Sequence, residues 1–113
     1  MLRWFVALWK PKYKTLWIED LPDKLSKKTI YIVGGREFPF QAVFLCPKNC
    51  EEKIFLNLSE QHHRNERWDI TEHTDHSISL HPSVWMKTLK CNCHYWVKKG
   101  RIIWVAHSYP FNF

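Results

Sequence analysis

Ala42-Val-Phe-Leu45-Cys46-Pro-Lys-Asn-Cys50-Glu-Glu-Lys53-Ile-Phe-Leu-Asn-Leu58 is the stretch on which the fold reading turns. Two short apolar runs flank a CxxxC knuckle, which predicts a β-hairpin carrying two thiols at its tip. A second signal lies downstream, where Tyr95-Trp-Val97 and Ile102-Ile-Trp-Val105 flank Lys98-Lys99-Gly100. This is a tight hairpin pattern, preceded directly by Cys91-Asn-Cys93-His94. The two clusters together have the ligand types and spacing of a zinc site. The predicted ligands are Cys46, Cys50, Cys91 and His94. Alternation along an extended segment leaves Cys93 pointing elsewhere. Three thiolates and one imidazole close the coordination shell, so such a site is structural rather than catalytic. Disulfides and free thiols are the competing readings. The closeness of Cys91 to Cys93 and the lack of a secretion signal weigh against disulfides, while spacing alone leaves iron open as the metal.

Outward from these clusters the chain reads as one domain. It has 113 residues, of which 45% are hydrophobic and 16% aromatic, enough for a core. Thr29-Ile-Tyr-Ile-Val33 is a strand pattern closed by Gly34-Gly35. The expected fold is a small β-rich domain resembling a zinc ribbon, in which two hairpin turns clamp one zinc. Residues 1–15 form an aromatic and basic arm, and 16–113 form the domain. Ser59 to Ser77 holds four of the seven histidines, including His62 and His76, and reads as a polar insertion rather than a second metal site. Within it Trp68-Asp-Ile70 predicts a brief strand, and Ser77-Ile-Ser-Leu80 leads into His81-Pro82-Ser83.

The formal net charge of +6 favours an acidic partner, whether a protein face, a phosphate backbone or a lipid surface. The apolar run Trp4 to Trp9 is far shorter than a membrane span and has no small-residue cleavage site, so a cytoplasmic location without membrane association is expected. Ser79, Ser83 and Ser108 with His81 or His107 supply the residue types for a nucleophile and base, but no elbow motif places any of these serines. Only three glycines are present and no phosphate loop. Intrinsic catalysis is therefore not expected. Trp85, Trp96 and Trp104, beside the ligand clusters, are the candidate partner-binding aromatics.

The strand Thr29 to Val33, the cluster Phe44 to Cys50, the lone Trp68, Ser79-Leu-His-Pro82-Ser83-Val84 and the run Cys91 to Trp104 together resemble a family of small bacterial metal-binding proteins. That family is catalogued as domain-of-unknown-function family 6527, and the similarity spans roughly Leu16 to Val105. In it the second cluster typically reads cysteine, two residues, then His-Tyr-Trp, matching Cys91, His94, Tyr95 and Trp96; serine is common at Cys93. Lys48 and Asn49 depart from the usual cysteine and glycine of the first cluster. Members are often encoded beside bacterial ubiquitin-like proteins and their activating and conjugating enzymes, in systems linked to defence against phage. The resemblance implies a zinc-binding accessory factor or ligase-like adaptor whose partner is a conjugating or activating enzyme, or the ubiquitin-like protein itself. A nucleic-acid-binding zinc module and a metal-dependent hydrolase are the alternatives.

Overall fold

The computed structural model describes residues 12–48, 52–59, 66–87 and 92–105. Eight strands occupy them: β1 (Lys14–Ile18), β2 (Thr29–Gly34), β3 (Pro39–Leu45), β4 (Lys53–Asn57), β5 (Asp69–Glu72), β6 (Ile78–Lys87), β7 (Asn92–Lys98) and β8 (Arg101–Trp104). They form two four-stranded sheets in sequence order, β1 to β4 and β5 to β8. The pair β1 and β2 is parallel and the others are antiparallel.

Period-two patterning explains the layering. Ile30, Ile32, Ala42, Phe44, Ile54 and Leu56 of the first sheet bury one face against Ile78, Leu80, Val84, Tyr95, Val97 and Ile102 of the second. This sheet-on-sheet packing is fixed at its centre by an edge-to-face contact between Phe44 and Tyr95, with centroids 6.4 Å apart. Each fully buried Ile or Phe contributes roughly 1.5–3 kcal/mol relative to exposure. The other face of the first sheet is covered by a smaller cluster around Leu25, Tyr31 and Val43, so β2 and β3 are apolar on both sides.

The two expected hairpins are present. The CxxxC knuckle lies between antiparallel β3 and β4, closed by the Cys46 N–H donating to the Glu52 carbonyl at 2.8 Å. Lys99 (φ 49°) and Gly100 (φ 77°) turn β7 into β8, both in the left-handed region that a two-residue hairpin turn requires. The Gly100 carbonyl accepts from the Tyr13 N–H at 2.6 Å, which ties the second sheet to the segment entering β1.

An apolar core between two sheets organises the described residues, and the zinc clamp expected between the two hairpin turns falls partly on residues outside the described set. The insertion expected from Ser59 to Ser77 contributes β5, longer than the predicted Trp68 to Ile70, as an edge strand paired with β6. His62 and His63 lie outside the described residues. The strand β1 begins at Lys14, two residues before the expected domain start, and residues 1–11 of the arm lie outside the described set.

Candidate active site

The site is built on β6 and β7. Along β7 burial alternates, with Cys93, Tyr95 and Val97 turned into the core and His94, Trp96 and Lys98 on the outer face. On β6, Leu80 pairs with Val97 and Val84 with Tyr95, so His81, Pro82 and Ser83 all stand against Trp96. The surplus residues form a bulge, which re-aims side chains out of strict alternation. A proline inside the strand fits such a position, and the His81–Pro82 peptide bond is cis.

Ser83 and Trp85 flank the buried Val84, so Ser83 shares the outer face with His94, and its Oγ lies 2.7 Å from His94 Nε2. Two tryptophans contact the pair. Trp68 donates its indole N–H to the Ser83 carbonyl at 3.3 Å, holding the main chain of the bulge. Trp85, the cross-strand partner of His94, stacks on the imidazole with centroids 4.6 Å apart and planes within 4°. The Trp85 ring is itself held by the Lys87 ammonium, 3.8 Å from its centroid, and by its N–H donating to Asn92 Oδ1 at 3.4 Å. Next along the outer face, Trp96 lies tilted on His81 at 5.7 Å and carries Lys98 at 5.0 Å. Beyond them opens a cavity of about 640 Å³ on the outer face of the second sheet.

A second serine and histidine also meet, Ser79 Oγ and His73 Nε2 at 2.7 Å. That hydroxyl accepts the Lys99 N–H at 2.9 Å, so it bridges the β5–β6 turn to the β7–β8 turn, and one of its lone pairs is already engaged. Asp75 anchors the same turn through the Ser77 hydroxyl and N–H and through Lys12; these contacts hold its carboxyl well below the ordinary carboxylate range, with the Lys12 hydrogen bond the largest cause.

Of the predicted metal ligands, Cys50 and Cys91 lie outside the described residues. Cys46 is buried with its Sγ 3.3 Å from that of the buried Cys93, and alternation along β7 places His94 on the face opposite Cys93. Among the described residues no three His, Cys, Asp or Glu side chains converge. Two thiolates on a tetrahedral zinc with bonds near 2.3 Å stand about 3.8 Å apart, so Cys46 and Cys93 fit as a ligand pair after small side-chain rotations. Tyr13 packs against this core, and its phenol is pushed up by burial and then by the Cys46 charge.

Of the candidate aromatics, Trp85 and Trp96 share the outer face with His94, and Trp104 registers against Tyr95 at 5.5 Å. Sequence reasoning named Ser83 but paired it with His81 or His107. The signal for this partner is the alternation of Ser83, Val84 and Trp85, which puts Ser83 and Trp85 on one face of β6, with Trp85 paired to His94.

A family model described as "Bacterial ubiquitination-like system serine protease (BubE)" matches residues 17–105. The match covers well over half of the chain, which therefore belongs to this family and is linked to a bacterial ubiquitination-like system. No curated protein and no solved structure gives a significant match.

Proposed function

We propose that this member of the bacterial ubiquitination-like system serine protease family cleaves an amide bond, with Ser83 as nucleophile and His94 as general base. The observation that carries this reading is the 2.7 Å contact between Ser83 Oγ and His94 Nε2 on the outer face of the second sheet. An adaptor without a nucleophile, the role the sequence resemblance implies, has no need of a serine hydroxyl held against an imidazole beside a cavity.

For Nε2 to accept a proton, the neutral imidazole carries its own on Nδ1. As Ser83 Oγ attacks the substrate carbonyl carbon, its proton passes to Nε2 and a tetrahedral oxyanion forms. The imidazolium then protonates the leaving nitrogen, the C–N bond breaks, and an acyl ester remains on Ser83. Water attacks that ester with His94 again as base, releasing a carboxylate and restoring the hydroxyl. Trp85 keeps the imidazole plane fixed through both transfers, and the face of its indole attracts the transient imidazolium. Trp68 fixes the carbonyl side of the nucleophile. Proteins carrying a ubiquitin-like tail, as precursor or conjugate, are the substrates this pathway offers.

The test is hydrolysis of p-nitrophenyl acetate by the wild-type chain and by Ser83→Ala, His94→Ala and Ser79→Ala, with circular dichroism checking the fold of each. Loss of activity by about 100-fold or more, the scale of general base catalysis, is expected in Ser83→Ala and in His94→Ala, with Ser79→Ala near wild type. Full activity in folded Ser83→Ala would overturn the assignment, and loss confined to Ser79→Ala would move it to the Ser79 and His73 pair.

The buried Cys46 and Cys93 pair favours a second reading, independent of the chemistry at Ser83. Zinc held by these two thiolates, with the CxxxC and CxC spacings supplying Cys50 and Cys91, staples the β3–β4 hairpin to β7 and leaves His94 for Ser83. One zinc per reduced chain in native mass spectrometry supports it, and a metal-free folded chain removes it.

A further inference from the structure

We propose that the cavity beyond Trp96 is a substrate groove for an extended peptide carrying an acidic side chain about four residues from the scissile bond. The inference rests on the assignment of Ser83 and His94. It starts from the order of side chains along the outer face of β7, where His94 is followed by Trp96 and then Lys98. Same-face residues of a strand are about 6.8 Å apart, so Lys98 stands about 14 Å along the sheet from His94, the span of about four extended residues. The cavity occupies the far part of this path. Its walls combine apolar surface from Trp96 and Ile103 with the cations Lys98, Lys99 and Arg101.

Charge decides the occupant. Among the described residues three cations line the cavity against one carboxylate, Asp69, and that carboxylate is paired with Arg67 at 3.1 Å. An acidic side chain entering the cavity meets Lys98 and Arg101, which stand directly opposite one another across β7 and β8. The residue two positions nearer the scissile bond rests on the Trp96 indole. His81 stands between the groove and the reactive pair, lining the cavity, packing on Trp96 and belonging to the same bulge as Ser83. An acidic peptide thus satisfies charge and length together, and a lysine at the same position is repelled.

The experiment incubates the full chain with a defined set of synthetic peptides and reads cleavage sites by mass spectrometry, using Ser83→Ala as control. In parallel, Ser83→Ala is titrated with fluorescent peptides that differ only by Glu or Lys at one position. The account expects Ser83-dependent cleavage enriched for Asp or Glu about four residues from the cut. It also expects about five- to tenfold tighter binding of the Glu peptide, with the preference reversed by adding Lys98→Glu. Ser83-dependent cleavage with no acidic preference, or a preference untouched by Lys98→Glu, overturns the groove and leaves the hydrolase standing. Discriminating binding without any cleavage supports the groove and sinks the hydrolase. Displacement of both peptides equally by an oligothymidylate would assign the cations to nucleic acid and overturn the proposal.

Discussion

Replacing Trp85 by Ala removes the ring stacked on His94 without touching the hydrogen bond to Ser83. Trp85 is 49% exposed and lies outside the core, so the fold should hold at a cost of about 0.5–3 kcal/mol, the range of ordinary destabilising substitutions. The catalytic effect is separate. Stacked aromatic pairs contribute about 0.5–1.5 kcal/mol beyond area burial, and here that energy holds the imidazole plane at one angle to the Ser83 hydroxyl. If all of it is expressed in the transition state, kcat falls about two- to thirteenfold, since each 1.36 kcal/mol is tenfold in rate. Trp85→Phe, which keeps a stacking face, should recover most of the loss. The assay is ester hydrolysis under saturating substrate, with urea melts run beside it. A Trp85→Ala chain with wild-type kcat would refute the positioning argument. So would a loss of kcat that only tracks loss of folded protein.

Gly100→Ala should destabilise the domain by about 1–2 kcal/mol, seen as a lower urea midpoint, because φ is +77° and an added Cβ would meet the Tyr13 carbonyl at 3.2 Å and the Ser77 Cβ at 3.3 Å. Arg36 clasps Glu72 through Nε at 2.8 Å and Nη2 at 3.1 Å, chiefly lowering the Glu72 carboxyl by that hydrogen bond. A lowered native value means that the contribution is complete above the ordinary value of 4.5 and disappears as pH falls through the native one. The urea midpoint of Glu72→Gln should therefore lie below wild type at pH 7, and the two should converge as the pH falls through the lowered native value. A gap that widens on acidification would contradict the pairing. If zinc joins Cys46 to Cys93, excess chelator should lower the thermal midpoint by about 10 °C or more. Cys93→Ala should then be as damaging as Cys46→Ala, and a harmless Cys93→Ala would restore the ligand set inferred from spacing.

Much of the fold was legible because local signals agreed with the packing they serve. The strand Thr29 to Val33, the turn at Lys99-Gly100 and the hairpin around Cys46 each announce themselves within a few residues. The pairing of sheets is not local. That Phe44 meets Tyr95 depends on two faces closing over one core, which composition does not encode position by position. The candidate site was hidden for the same reason in sharper form. Ser83 and His94 are eleven positions apart, and they meet through the pairing of β6 with β7, in which Val84 opposes Tyr95 and Trp85 opposes His94. Cys91 to His94 reads as one cluster in sequence, whereas alternation along β7 puts Cys93 and His94 on opposite faces.

The most direct test of the central claim is the intact mass of the chain after treatment with diisopropyl fluorophosphate, followed by peptide mapping. The account predicts one adduct per chain on Ser83, absent from His94→Ala and retained in Ser79→Ala. An unmodified chain, or an adduct mapped to Ser79, would contradict it.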